Sequence, residues 1–287
     1  MKTSPLLDRL HFNLSDGTAL KLYSAPTKKQ CRGYILFAHG MLEYGGRYLD
    51  WGQKIAEEGY SFLAVDHRGH GASDGLRVWM NSVDDYVDDF QLLAEALIDS
   101  AGDLPVFIVG MSMGGGIALR TAVRLQNRAK TIAGVILAAP ALRPHRKVVP
   151  KFLTFFAPLL DRLFPKWRIL HGTTVGLCHD KEVLQRFQND PLIHSGPFSI
   201  HYGYANFTAA AQNLDLCEKL TLPILIVQGT GDTITSPSGP KEFIERGIST
   251  DKTLKLYPDL YHDILHEPNS DQVTGDILDW LNQRAAL

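Results

Sequence analysis

Short apolar runs recur along the chain, and the stretches between them place apolar positions three and four residues apart. The runs Tyr34–Ala38, Ser61–Val65, Val106–Val109, Gly134–Ala138, Ile224–Val227 and Thr253–Tyr257 predict strands. Several are apolar throughout, which suits a parallel sheet covered on both faces. Phe12–Leu14 and Leu20–Tyr23 flank the turn-like Ser15-Asp16-Gly17 and predict an antiparallel hairpin at one edge. Val83, Tyr86, Val87, Phe90, Leu93 and Leu97 mark one helical face, with Ser82 as capping residue and Asp85 three positions on. Val273, Ile277, Trp280 and Leu281 repeat the logic near the C-terminus. Strands alternating with helices imply an α/β class, a mostly parallel central sheet flanked by helices. In such sheets ligands sit at the carboxyl ends of the strands, so functional residues are expected just after strands.

The whole chain, 1–287, reads as one such domain, but the alternation lapses over 141–205. That stretch is too long for a bare loop in a compact domain and reads as an inserted cap. Within it, 11 of the 17 residues of Val148–Phe164 are apolar, interrupted by Pro150 and Pro158. Residues 143–168 carry seven Lys or Arg and one acidic residue, Asp161, a local charge of +6 in a chain of net -2.

A chain of 287 residues with 45% hydrophobic and 21% charged residues can bury a core without staples, which excludes disorder and disulfide miniproteins. The slight negative charge lacks the basic excess that binding a phosphate backbone requires, so no nucleic-acid partner is expected. Residues 1–17 hold no apolar run of signal-peptide length, and no stretch matches a spanning helix; the expected location is cytoplasmic, with peripheral membrane attachment through the cap. Cys31, Cys178 and Cys217 are an odd number without metal-ligand spacing, so neither a disulfide nor zinc is expected.

The candidate chemistry begins with G-x-S-x-G, the nucleophile elbow that exposes a serine at a sharp strand-to-helix turn. It occurs twice, at Gly71-Ala72-Ser73-Asp74-Gly75 and at Gly110-Met111-Ser112-Met113-Gly114. Ser112 directly follows a strand candidate and opens a helical stretch, whereas Ser73 sits among turn residues; Ser112 is the expected nucleophile. A serine needs a base, ordinarily a histidine oriented by a carboxylate, in the chain order Ser, Asp or Glu, His. Asp232 and His262 each lie just past a strand candidate in that order; Asp259 or Asp263, and His266, are the alternatives. Backbone donors for the developing oxyanion are expected at Met113, after the nucleophile, and at Met41, after the first parallel strand. His39, His67 and His70 precede glycines and read as braces of these loops.

Five segments, His39–Tyr48, Asp66–Gly75, Gly110–Gly115, Asn189–Ile193 and Asp251–Tyr257, together resemble the monoacylglycerol lipase and lysophospholipase branch of the α/β-hydrolases, over about residues 10 to 282. The resemblance implies a Ser112–Asp232–His262 triad, an oxyanion hole at Met41 and Met113, and a lipophilic cap. In monoacylglycerol lipases a Glu and an Arg of the first motif help bind the glycerol end; Glu43 and Arg47 occupy those positions. Animal members carry a glycerol-contacting histidine three residues after the catalytic one, whereas His266 stands four residues after His262. The expected activity is hydrolysis of monoacylglycerol through an acyl-enzyme, with no cofactor or metal. The alternatives are a lysophospholipase or general carboxylesterase, acyl transfer to an alcohol, and a silent scaffold. The basic residues beside the greasy cap sequence further suggest contact with anionic bilayers.

Overall fold

The computed structural model describes residues 4–128, 132–145 and 151–285, with 151–154 described by backbone alone. The chain opens with the hairpin β1 (His11–Asn13) and β2 (Ala19–Ala25). It continues through β3 (Gly33–Ala38), α1 (Leu49–Glu57), β4 (Tyr60–Val65), α2 (Val83–Ala101), β5 (Val106–Met111), α3 (Met113–Leu125) and β6 (Ile132–Ala138). All six expected strands of the parallel sheet are present, each one or two residues longer than its expected run.

After β6 the chain leaves this sheet. It forms α4 (Lys151–Leu163), a short β7 (Arg168–Leu170), α5 (Lys181–Asn189), β8 (Phe198–Ser199), which pairs with β7, and α6 (Ile200–Asp215). It returns with β9 (Ile224–Gly229), α7 (Ser238–Arg246), β10 (Lys252–Tyr257) and α8 (Ser270–Ala285). The expected cap boundary at 205 falls inside α6. Pro158 lies within α4, and Arg146, Lys147 and Val148–Pro150 lie outside the described residues.

The main sheet has eight strands in the order β1-β2-β4-β3-β5-β6-β9-β10. β2 is antiparallel to both neighbours, and the strands from β4 to β10 are parallel. Strand alternation sends side chains to two cores. From β3, Tyr34, Leu36 and Ala38 face the core shared with Phe90 and Leu93 of α2 and Ile117 of α3. Ile35 and Phe37 face the other, shared with Trp51 and Ile55 of α1 and Ile277 and Trp280 of α8. Ser82 caps α2 by accepting from the Asp84 N–H at 2.9 Å, while Asp85 reaches the Asn81 N–H, one residue further back than a capping box requires.

Candidate active site

Ser112 stands between the end of β5 and the start of α3 with φ 54° and ψ -117°, a left-handed conformation that a residue with a side chain adopts only under constraint. The constraint is visible. The Ser112 N–H donates to Ala138 O at 3.0 Å, and its carbonyl accepts from Ala141 N at 2.9 Å and Gly115 N at 3.0 Å. The turn closes because α3 runs hard against the end of β3: a Cβ on Gly114 would lie 2.1 Å from Ala38 O and 2.4 Å from His39 O. Ser73, the other candidate, is a brace, its hydroxyl donating to Asp66 O at 2.7 Å and accepting from the Lys21 N–H at 2.7 Å.

The structure brings Ser112, His262 and Asp232 together. His262 Nε2 lies 2.9 Å from Ser112 Oγ, and Nδ1 lies 2.8 Å from Asp232 Oδ2. The two loops can meet because β9 ends in glycine, where a Cβ on Gly229 would lie 2.1 Å from Leu260 O. Asp232 also accepts from the Ile234 and Thr235 amides, the Thr235 hydroxyl at 2.7 Å and Gln228 Nε2 at 2.8 Å. Burial pushes its pKa up, but the attraction and hydrogen bond of His262, with those other donors, win, and the carboxyl stays below its ordinary range. Burial likewise opposes charge on His262, but Asp232 outweighs it and raises the imidazole above its ordinary value. A hydroxyl, a ring nitrogen and a held carboxylate in this order can transfer a proton from oxygen and stabilise the resulting imidazolium.

Met113 opens α3, where a helix leaves its first N–H groups without internal partners. The Met41 loop is fixed at Gly40, whose N–H donates to Glu43 Oε1 at 2.6 Å and whose carbonyl meets His39 Nδ1 at 2.8 Å. Glu43 is buried and also accepts from the Tyr48 hydroxyl at 2.8 Å. Arg47 pairs with Glu43 through one terminal nitrogen and with Asp263 through the other, at 2.8 Å. His266 has both ring nitrogens engaged, Nδ1 with Asp263 Oδ1 at 2.8 Å and Nε2 with Arg47 O at 3.1 Å. Of the three expected substrate-binding residues, Glu43 reaches the cavity wall, while Arg47 and His266 stand behind it. Asp263, weighed in sequence only as a substitute for Asp232, is instead fully buried against Arg47 and His266. Burial opposes its charge, but those two partners hold its carboxyl well below the usual range.

A cavity of about 500 Å³ opens above Ser112 and His262. Leu42, Leu177, Phe187, Ile193, Phe198 and Ile234 supply apolar wall; Glu43, Tyr48 and Asp263, and from the segment after β6 His171, Thr173, Thr174, Gln188, His194 and Ser195, add polar groups. Much of that apolar wall comes from the segment after β6, which is tied to both loops beneath it. The His262 and Asp263 amides donate to Gly176 O and Leu177 O, at 3.2 and 2.7 Å, and the His194 amide donates to Leu42 O at 2.8 Å. Asp190 of the Asn189–Ile193 motif accepts from the Tyr44 hydroxyl at 2.7 Å. Glu267, which the sequence did not single out, bridges the same seam by accepting from the amides of Tyr261 and His179. Cys178 lies there too, and burial pushes its thiol up to about 12, the opposite of a reactive thiolate.

His39, His67 and His70 are fully buried and brace the loops as expected. His39 Nε2 accepts from the His67 N–H at 2.9 Å, which leaves Nδ1 to donate to Gly40 O; His70 Nε2 meets the Tyr202 hydroxyl of α6 at 3.0 Å. Burial lowers all three, His67 to about 3 and His70 to about 4. The unfolded chain therefore binds protons that the fold refuses. Their contribution is complete above about pH 6.5 and is lost as pH falls toward the folded values, at about 1.4 kcal/mol per unit and group. Between pH 6.5 and 4.5 the urea midpoint of His70→Gln, which keeps a polar partner for Tyr202 but does not titrate, should rise relative to that of the wild type. Equal slopes for the two proteins would refute the assignment.

Residues 29–269 match the family described as serine aminopeptidase, S33. The chain is 31% identical over 250 residues to monoacylglycerol lipase of Mycolicibacterium smegmatis, spanning 87% of this chain and 88% of that one. It is 30% identical over 286 residues to human monoglyceride lipase, spanning 98% and 93%. The crystal structure of a soluble variant of monoglyceride lipase from Saccharomyces cerevisiae, in complex with a substrate analog, matches with a TM-score of 0.87 at 27% identity, covering 99% of this chain and 98% of that one. With its elbow after β5 and an eight-stranded, mostly parallel sheet, the chain belongs to the serine aminopeptidase S33 family and has the α/β-hydrolase fold.

Proposed function

We propose that this serine hydrolase cleaves the ester of monoacylglycerols. The observation that carries the reading is the Ser112–His262–Asp232 relay at the floor of a largely apolar cavity, with Glu43, Tyr48 and Asp263 in the lining beside it. Its volume, about 500 Å³, is that of a site for a small organic ligand. The acyl chain lies along Leu177, Phe187 and Ile193, and the glycerol hydroxyls face Glu43, Tyr48 and Asp263. Among the described residues, Glu43 and Asp263 line the cavity and no lysine or arginine does, which favours a neutral glycerol over the phosphate of a lysophospholipid. Arg47 and His266 act from behind the wall, holding Glu43 and Asp263. The names of the relatives support the same substrate class.

In the mechanism, Ser112 Oγ attacks the ester carbonyl as His262 Nε2 takes its proton, and Asp232 stabilises the imidazolium. The Met41 and Met113 N–H groups receive the oxyanion. His262 then protonates the departing glycerol. Water, deprotonated by the same nitrogen, attacks the acyl-enzyme and releases the fatty acid and free Ser112. Residues 141–205, extended to the end of α6, act as the cap over the acyl chain. Its outer side carries Phe155, Phe156, Leu159, Leu163, Trp167 and Ile169, all exposed, and we place this face on the membrane from which substrate is drawn.

Monoacylglycerol, lysophosphatidylcholine and a short-chain nitrophenyl ester, assayed side by side, should show kcat/KM highest for monoacylglycerol by more than about tenfold, or about 1.4 kcal/mol. Ser112→Ala should lower kcat on all three by at least about 10³-fold. Preference for either other ester would discard the glycerol assignment. Because His262 must be neutral to act and Asp232 raises it, kcat/KM should climb with pH through a midpoint above about 6.5. A rate flat from pH 5 to 8 would exclude His262 as the base. Phe155→Asp/Leu159→Asp should reduce sedimentation with lipid vesicles while leaving hydrolysis of a soluble ester unchanged; unaltered sedimentation would remove the cap from the membrane.

A further inference from the structure

Away from the catalytic cavity, a second concavity of about 450 Å³ forms where the loop before α2 meets the β7–β8 ribbon. Arg77, Lys166 and Arg168 line it beside the indole of Trp79. Among the described residues, none of these three cations has a carboxylate within ion-pairing distance, although most other arginines of the chain do. Two carboxylates stand on neighbouring elements, Asp161 hydrogen-bonded to His201 at 2.8 Å and Asp85 to the Asn81 amide at 2.7 Å, and the three cations outnumber them. One of the cations is held in place: Arg168 donates from Nε to Pro197 O at 3.0 Å and from Nη1 to Arg77 O at 3.2 Å, and its Nη2 lies 3.4 Å from His194 Nε2. Arg77 and Trp79 flank Val78, buried at φ 51°, where a β-branched residue is strained; the loop carries this strain while directing both neighbours into the same basin.

The surroundings say what such a basin faces. Leu76, Trp167 and Ile169 stand exposed around it, continuous with the apolar outer side of α4. A cationic basin with a bordering indole, set in an apolar rim, matches the boundary of a bilayer, where phosphates lie level with aromatic side chains and just above acyl chains. A soluble anion would need the basin but not the rim. We propose that Arg77, Lys166 and Arg168 form a site for the phosphate of an anionic glycerophospholipid headgroup, which seats the cap on its membrane. This rests on the membrane contact proposed above and adds to it a specific, charge-reading site outside the catalytic machinery.

The test uses the full chain and vesicles of phosphatidylcholine alone or with phosphatidic acid. Wild type should sediment more strongly with the acidic vesicles. Arg77→Gln/Lys166→Gln should lose that excess by at least about tenfold while retaining binding to phosphatidylcholine and full turnover of a soluble ester. Lys181→Gln/Lys241→Gln removes equal charge elsewhere and should change sedimentation less than about twofold. If the two double variants behave alike, the headgroup site is wrong and the membrane contact stands. If wild type sediments with neither vesicle, both are wrong. Thermal stabilisation by millimolar inorganic phosphate, lost in Arg77→Gln/Lys166→Gln and without any vesicle preference, would assign the basin to a free anion and overturn the lipid assignment.

Discussion

The architecture turns on one close approach, the first turn of α3 against the end of β3. Only a glycine at 114 lets the two backbones come so near, and that nearness is what bends Ser112 into a left-handed conformation at the carboxyl edge of the sheet. Strain of this kind costs of order 1–3 kcal/mol and persists only where the surroundings over-determine it. Here they do, through hydrogen bonds to Ala138 at the end of β6 and from Ala141 just beyond it, and two buried cores that lock β3 and β5 in register. The same edge places Met113 at the open end of α3 and presents the Met41 loop beside it. The elbow, the expected oxyanion donors and the floor of the cavity are therefore consequences of one packing contact.

Around that contact the loops are tied by buried charge. Arg47 joins Glu43, which fixes Gly40 and the Met41 loop, to Asp263, the neighbour of His262. A single guanidinium thus couples the loop after β3 to the loop after β10, and His266 closes the circuit by holding both Asp263 and the Arg47 carbonyl. Breaking one partner of such a set leaves an uncompensated buried charge, which is far more damaging than losing a surface pair. The segment between β6 and α6 joins the same assembly through Gly176 and Leu177 on the His262 loop, and through His194 on Leu42. A displacement of that segment would therefore be felt at His262 and at the Met41 loop together.

Much of this was legible in the sequence because parallel strands buried on both faces leave continuous apolar runs, and because a serine between two glycines after such a run has few structural explanations. Order and placement just past a strand pointed to Asp232 and His262 but left Asp259, Asp263 and His266 open, because these also follow strands within a few residues. Arg47 and His266 were harder. Their types suit a ligand or a brace equally, and the choice depends on Asp263, 216 positions away from Arg47 along the chain. The end of the inserted stretch was also obscured, since α6 opens with Ile200, His201, Tyr202, Gly203 and Tyr204, a mixed and glycine-containing run with little helical periodicity. Glu267 and Thr235 carried no signal of their own; their roles come from backbone amides and a carboxylate that the fold brings to them.

If His262 and Asp232 activate Ser112, a fluorophosphonate probe followed by peptide mass spectrometry should find one label per chain, on the peptide containing Ser112, formed much more slowly in Asp232→Asn. A label on Ser73, or no label on the active protein, would contradict that activation.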